Sequence, residues 1–144
     1  MILGLENKRV LVTGSSRGIG LAIAKGFLHE EANVVLSSRN QNKLDHCKEK
    51  LLKENPSSQI LSSSCDFTQP QEILKLKETI VKQWGGLDII VVNVGSGKSV
   101  LDAIPTAENF DTVFSLNFDS VVYTVREFYP LLKISKGNFI FISS

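Results

Sequence analysis

The sequence predicts an α/β fold in which helices cover both faces of a parallel β-sheet. Short continuous runs of Val, Ile, Leu and Phe recur along the chain, and stretches of helical length and spacing separate them. Continuous apolar runs are typical of strands buried on both faces of a sheet. Strand–helix alternation with short connections favours right-handed βαβ units in an open, doubly wound sheet. Because the 144 residues contain no internal repeat and no linker, we expect a single domain, residues 1–144.

Each predicted element follows from its local sequence. Five apolar runs predict strands at Val10–Val12, Val34–Leu36, Ile60–Leu61, Ile89–Val92 and Phe139–Ile142. The stretches between them predict helices at Gly18–Glu30, Gln41–Glu54, Pro70–Trp84 and Thr106–Leu132. Pro70 suits the first turn of a helix, and Thr106 is a suitable N-cap.

The last predicted strand runs directly into Ser143 and Ser144, with no helix after it. A hydrophobic strand at an open sheet edge is an aggregation hazard that natural proteins usually avoid. We therefore expect a C-terminally truncated sheet with an exposed edge, and a chain that self-associates.

Composition argues against several classes of partner. Sixteen Lys and Arg oppose fifteen Asp and Glu, so the formal charge is +1 and no large basic field attracts nucleic acid or an anionic membrane. No apolar run approaches the roughly 20 residues of a membrane helix. The first residues lack the basic lead of a secretory signal. Cys47 and Cys65 do not stand at zinc-ligand spacing from either histidine, so we expect reduced thiols, no metal and a cytoplasmic location.

A glycine-rich loop joins the first strand to the first helix, with the sequence Thr-Gly-Ser-Ser-Arg-Gly-Ile-Gly over residues 13–20. Gly14 permits a tight turn, Gly18 lets the backbone approach a pyrophosphate, and Gly20 lets the helix pack closely on the strand. The free N–H groups of the helix then face the phosphates. This arrangement predicts a Rossmann-type dinucleotide site; the alternative is a glycine-rich turn without a ligand. The candidate cofactor-binding residues of the loop are Gly14, Ser16, Arg17, Gly18, Ile19 and Gly20.

With four later segments, this loop resembles the short-chain dehydrogenase/reductase family. Asp66-Phe67 is similar to the family's adenine-contacting pair, and Asn93 and Gly95 stand in its Asn-Asn-Ala-Gly segment. Asn117 is similar to its active-site Asn, and Ser144 to its catalytic Ser. The resemblance implies an NAD(P)(H)-dependent oxidoreductase that transfers hydride between nicotinamide and a small carbonyl or alcohol substrate. It also implies a homo-oligomer for the complete family member.

The sequence departs from the family pattern in several places. Val92 and Val94 replace the usual Asn and Ala, and Glu31 stands where many members have a Gly, so we expect a different C-cap there. The family's Tyr-x-x-x-Lys lies about a dozen residues past its catalytic Ser, beyond Ser144. Tyr129 and Lys133 have the right spacing but precede the Ser strand, so we interpret them as coincidence. The alternative function is therefore a truncated, catalytically inactive nucleotide-binding remnant.

Two further patterns have competing interpretations. Gly97-Lys98-Ser99 suggests a P-loop, but that loop needs Gly where Val92 stands. Asn117 falls within an apolar stripe, which predicts a buried amide that either supports catalysis or kinks the helix as a satisfied core residue. The stripe consists of Phe110, Val113, Phe114, Val121, Val125 and Phe128.

The end of the second strand predicts the cofactor. Members that use NAD tend to carry an acid there to accept the ribose hydroxyls. Here the position is Ser38, followed by Arg39, and Arg17 projects from the glycine loop. A 2′-phosphate favours a cationic fork and is repelled by a carboxylate. The sequence therefore favours NADP(H) over NAD(H), the alternative being that both arginines are solvated surface charges.

Overall fold

Five parallel strands form one sheet in the computed structural model, which describes residues 3–96 and 103–143. The strands are β1 Arg9–Thr13, β2 Asn33–Ser37, β3 Ile60–Ser62, β4 Ile89–Val92 and β5 Asn138–Phe141. Their order is β3-β2-β1-β4-β5, and every neighbouring pair is parallel. The chain therefore moves outward from β1 to β3 and then crosses back to β4 on the other side of β1. In such sheets, ligands bind beyond the carboxyl ends of the strands where the order reverses, here between β1 and β4.

The helices confirm the predicted alternation, with one change. They are α1 Gly18–His29, α2 Gln41–Glu54, α3 Pro70–Trp84, α4 Ala107–Phe114 and α5 Ser120–Ser135. The single helix predicted over Thr106–Leu132 is interrupted between α4 and α5 by a π-helical turn, Ser115–Asp119. It also begins after Thr106, whose side chain accepts a hydrogen bond from Asn109 N at 3.2 Å as an N-cap. None of the described helices is long and apolar enough to cross a membrane.

Helices cover both faces of the inner strands, as predicted. Side chains alternate along β1, so Val10 and Val12 face α1 and α2, whereas Leu11 faces α3 and α5. The core side chains on both faces of the sheet are almost fully buried. On the second face the buried helical residues are Ile73, Leu76, Ile80, Phe128 and Leu132.

The outer edge of the sheet is exposed at β5. Ile140 is 41% exposed and Phe141 52% exposed, and within the described ranges no strand pairs with the far side of β5. An exposed edge strand was predicted from the sequence, and the structure confirms it.

The predicted burial of the apolar stripe is wrong for its first half. Phe110 is 59% exposed and Phe114 45% exposed, whereas Phe128 is fully buried. Phe118, which lies on the same side of the helix, is 54% exposed. The periodicity correctly predicts one apolar face, but only α5 packs that face onto the sheet. We call Phe110, Phe114 and Phe118 the aromatic ladder; their successive ring centroids are 5.9 and 4.9 Å apart.

The expectation of a different C-cap at Glu31 is also wrong. Glu31 adopts the left-handed conformation itself, with φ of +61°. Its N–H donates to Leu28 O at 3.0 Å, and Ala32 N donates to Phe27 O at 3.0 Å, which is the Schellman pattern. The glutamate thus occupies the conformation that glycine normally supplies, because the two hydrogen bonds fix the turn.

The amino-terminal edge of the sheet is fixed by an ion pair. The Arg9 guanidinium donates to both carboxylate oxygens of Asp88, each at 2.9 Å, and to Trp84 O at 3.2 Å. The hydrogen bonds from Arg9 hold the pKa of the Asp88 carboxyl below its usual value. This pair joins β1 to the start of β4 at the edge opposite the carboxyl ends of the strands.

Candidate functional site

The glycine loop, residues 13–20, has the geometry that its three glycines predict. Gly14 and Gly18 have φ of +65° and +57°, a region that side chains disfavour. A Cβ on Gly20 would overlap Gly14 O and lie 2.7 Å from Asn93 Nδ2. Space around Gly18 is open, since no atom of a described residue other than its chain neighbours and its own helix backbone lies within 4 Å of a Cβ built there. Gly20 therefore permits the close packing of α1, whereas Gly18 supplies a left-handed turn beside open space.

The N-terminus of α1 differs from those of α2 and α4. Asn40 caps α2 by accepting from Lys43 N at 3.0 Å, and Thr106 caps α4. At α1 the N-cap residue is Arg17, in an extended conformation, and no side chain in the described ranges caps the helix. Its first turn contains no acidic side chain. The free N–H groups and the helix dipole together favour an anion at this position.

Hydrogen bonds from neighbouring strands hold the glycine loop in place. Ser15 Oγ, fully buried, accepts from Ser37 N at 2.9 Å. Thr13 Oγ1 accepts from Asn93 N at 2.8 Å and from Val94 N at 3.2 Å. Asn93 Nδ2 in turn donates to Thr13 O at 3.2 Å and Gly14 O at 3.3 Å. The Asn93 side chain therefore holds the loop by the backbone carbonyls of the loop. It does so between β4 and β1, where the strand order reverses.

Sequence reasoning missed three residues that hold the loop: Thr13, Ser15 and Cys47. The Cys47 thiol of α2 lies 3.3 Å from Ser16 O and donates to it. A signal existed for the two hydroxyls, because polar side chains that end a buried strand must find partners. Cys47 offered none, since its partner lies 31 residues away in the sequence.

The segment after β2 carries the predicted cofactor-discriminating residues. Ser38 Oγ is buried and has no hydrogen-bond partner within the described part of the chain. Arg39 and Arg17 are both exposed, and the described residues give neither of them an ion pair. A buried hydroxyl without a partner is uncommon in folded proteins, and a ligand that hydrogen-bonds it would satisfy it. Two free guanidinium groups and this hydroxyl thus lie on neighbouring loops at the carboxyl ends of β1 and β2.

Asp66 and Phe67 lie in the loop between β3 and α3. The Asp66 carboxylate accepts from Thr68 N at 2.9 Å and from Thr68 Oγ1 at 2.7 Å, which stabilises the turn. Phe67 is 2% exposed as a whole residue, and its side chain packs in the core against α3.

Asn117 lies in the π-helical turn and is exposed, so its predicted burial is wrong. Its amide is satisfied by the loop after β4: Oδ1 accepts from Ser96 N at 2.8 Å, and Nδ2 donates to Ser96 O at 3.2 Å. A Cβ on Gly95 would lie 2.8 Å from Asn117 Oδ1, so glycine is needed at position 95 for this approach. The pair joins the π-helical turn to the carboxyl end of β4.

Other predicted residues lie away from the site or outside the described ranges. Ser144 and the segment Gly97-Lys98-Ser99 are outside the described residues. Tyr129 lies on α5 and is 56% exposed. At the end of α5, Ser135 Oγ donates to Leu87 O at 2.7 Å, and Leu87 precedes the first residue of β4. The C-terminal half of α5 thus points towards the amino ends of the strands, opposite the glycine loop.

Burial raises the pKa of the Cys65 thiol to about 12, with smaller contributions from Glu72 and Asp66.

Comparison with known proteins decides the family. The family model described as short chain dehydrogenase matches residues 8–144. The chain belongs to this family. A tropinone reductase homolog of Arabidopsis thaliana is 38% identical over 142 residues, which are 97% of this chain and 53% of the relative. The chain thus spans about half the length of the short-chain dehydrogenases it matches.

Solved structures show the same fold. L-sorbose reductase from Gluconobacter frateurii, complexed with NADPH and L-sorbose, matches with a TM-score of 0.91 and 30% identity, over 98% of this chain and 54% of that one. An NADPH-bound short chain oxidoreductase from Pseudomonas aeruginosa matches with a TM-score of 0.91 and 28% identity, over 95% and 54% of the two chains. The Rossmann-type fold class predicted from the sequence is confirmed.

Proposed function

We propose that this chain forms the cofactor-binding portion of an NADP(H)-dependent short-chain oxidoreductase. The observation that carries the proposal is the N-terminus of α1, which no described side chain caps and which the described residues leave open beside Gly18. Backbone N–H groups in that arrangement suit a pyrophosphate. Ser38 Oγ, which has no partner among the described residues, lies on the adjoining loop and fits a second contact to the same ligand. The residues present therefore fit a dinucleotide.

Each predicted residue has a role in this proposal. Gly14, Ser16, Gly18, Ile19 and Gly20 surround the pyrophosphate, Asp66 and Phe67 contact the adenine, and Asn93 and Gly95 border the nicotinamide. When bound, the dinucleotide supplies or accepts the hydride exchanged with a carbonyl or alcohol substrate. Asn117 supports the proton relay, and Ser144 hydrogen-bonds the substrate oxygen, both by family resemblance. A homo-oligomer and a cytoplasmic location belong to the same proposal.

The preference for NADP(H) over NAD(H) rests on charge. Arg39 and Arg17 are exposed, neither forms an ion pair with a described residue, and Ser38 replaces the acid that would repel a 2′-phosphate. Two structural relatives, the L-sorbose reductase and the Pseudomonas enzyme, are NADPH complexes.

Calorimetric titration with NADPH and NADH tests the proposal. Charge-assisted hydrogen bonds contribute roughly 1.5–3 kcal/mol, so Arg39→Ala should weaken NADPH binding about 10–100-fold. NADH lacks the 2′-phosphate and should bind unchanged. Ser38→Asp should invert the preference towards NADH, and added salt should weaken NADPH binding more than NADH binding. Arg126→Ala, which removes an exposed charge on α5, is the matched control and should change neither affinity.

Two results would contradict the proposal. Equal losses for both cofactors in Arg39→Ala would mean that Arg39 supports the fold or the adenine and not the phosphate. No measurable binding of either cofactor by the wild-type chain would reject the nucleotide site itself.

The second candidate is a nucleotide-binding chain without catalysis. It is favoured by the position of Tyr129, the one Tyr in the sequence followed four residues later by Lys, on the part of α5 remote from the glycine loop. NADPH oxidation with a panel of ketones measures whether the 144-residue chain catalyses turnover by itself. We expect the blank rate from the 144-residue chain, and turnover abolished by Tyr129→Phe would overturn that expectation.

A further inference from the structure

The segment that carries Ser38 and Arg39 is held at both ends by the loop that follows β3, residues 63–69. At its first end, Ser38 O accepts from Cys65 N at 2.9 Å. At its second end, Gln41 Oε1 accepts from Ser64 N at 2.7 Å. Arg39 and Asn40 lie between these two attachments and are exposed. The segment is therefore a short span fixed at both ends, and the side chain of Gln41 makes one of the two attachments.

Gln41 makes the second attachment through a network. Its Nε2 donates to Asp45 Oδ1 at 2.8 Å, one turn further along α2. Ser62 Oγ donates to the same carboxylate oxygen at 2.7 Å, so Asp45 joins α2 to the end of β3. The Gln41 amide is thereby held in one orientation, with its oxygen directed at Ser64 N. These hydrogen bonds also lower the pKa of the Asp45 carboxyl.

The packing of the core does not explain the presence of Gln41 and Asp45 at these positions. Gln41 is half-buried, Asp45 is exposed, and the first buried apolar residue of α2 is Leu44. Helix α2 already has an N-cap in Asn40. What the network adds is a fixed distance between the Arg39 segment and the loop of Asp66, which the proposed function places at the 2′-phosphate and the adenine.

We propose that Gln41, held by Asp45, is a positioning residue for cofactor discrimination, which sets Arg39 against the 2′-phosphate of a dinucleotide whose adenine lies on the Asp66 loop. This inference rests on the proposed function. A loose segment lets the Arg39 guanidinium sample many positions, and the charge-assisted bond to phosphate then costs more conformational entropy. The loop of Asp66, which contacts the adenine, keeps two attachments without Gln41, because Asp66 N donates to Glu72 Oε2 at 2.7 Å and Cys65 N donates to Ser38 O at 2.9 Å. NADH therefore loses less than NADPH.

Gln41→Leu is the decisive variant, because it keeps the size of the side chain and removes both amide functions. We expect NADPH affinity to fall roughly five- to tenfold and NADH affinity to change less than about twofold, the loss expected for one or two side-chain hydrogen bonds. Gln83→Leu makes the same change on the exposed end of α3 and should alter neither affinity. Asp45→Asn keeps an oxygen for both donors and should retain the preference, whereas Asp45→Leu should lose it. Equal losses of NADPH and NADH affinity in Gln41→Leu would overturn the inference, because they indicate a structural role only.

Amide hydrogen exchange without cofactor separates this inference from the proposed function. Gln41→Leu should speed exchange at Ser64 N–H and leave that of the first turn of α1 unchanged. Unchanged exchange at Ser64 would refute the positioning role even if NADPH binds. Faster exchange at Ser64 in a chain that binds no dinucleotide would refute the proposed function and show that the network holds the segment for another purpose.

Discussion

The two sides of the sheet differ in the kind of group that is left without a contact, polar on one side and apolar on the other. Around β1 and β2 the core is fully buried, and the loops at the carboxyl ends are joined by hydrogen bonds through Ser15, Thr13 and Asn93. Around α4 and β5 the aromatic ladder and Phe141 are about half exposed. Among the described residues, the first side carries polar groups without a partner, at the α1 N-terminus and Ser38 Oγ, and the second carries exposed apolar surface. Polar groups without a partner on loops held by hydrogen bonds suit a small ligand, whereas exposed apolar area is surface that further protein can cover.

The largest effect is expected where the first side is packed most tightly. Gly20→Ala places a Cβ against Gly14 O and Asn93 Nδ2, and overpacking of this kind costs about 1–3 kcal/mol of unfolding free energy. Gly26→Ala makes the same change in the same helix, where no described residue other than its chain neighbours and its own helix backbone lies within 4 Å of the new Cβ. It should stabilise the protein by up to about 1 kcal/mol through helix propensity. Urea denaturation of both variants measures the contrast, and a destabilised Gly26→Ala would remove the packing explanation.

An effect of about tenfold is expected on the second side. The exposed ladder and β5 edge should make the chain self-associate at micromolar concentration, and Phe114→Lys should weaken that association about tenfold, or about 1.4 kcal/mol. Ile134→Lys is the control, because Ile134 is 82% exposed on α5, away from the ladder. Sedimentation velocity checks both. A wild-type chain that sediments as a monomer would mean that the exposed apolar area alone does not drive association.

A smaller effect is expected at the end of α1. Glu31 holds φ of +61°, which costs a residue with a Cβ roughly 1 kcal/mol relative to glycine. Glu31→Gly should therefore raise the unfolding free energy by up to that amount, less the extra entropy of glycine in the unfolded chain. Thermal unfolding of Glu31→Gly beside Glu30→Gly tests this, since Glu30 has a negative φ of −92° and should gain nothing. A comparable gain in both variants would contradict the conformational argument.

The sequence predicted the inner sheet well because its signals there are local. Helices α2 and α3 begin and end where predicted, with Asn40 and Pro70 at their starts and Gly85 after α3. The failures are non-local. Periodicity identified the apolar stripe from Phe110 to Phe128. It did not show that the first half of the stripe lies beyond the sheet. Equally, the contacts between Asn117 and Ser96, or Gln41 and Ser64, depend on loops that the fold brings together.

In the proposed function, the free N–H groups of α1 hold the phosphates of a dinucleotide. Residue-resolved amide hydrogen exchange with and without NADPH tests it most directly, with the first turn of α4 as an internal control, because Thr106 already caps that helix. We predict slower exchange at Gly18, Ile19 and Gly20 in the presence of NADPH and no change in α4. Exchange at residues 18–20 that NADPH leaves unchanged, or that slows equally in α4, would contradict this role of the α1 N–H groups.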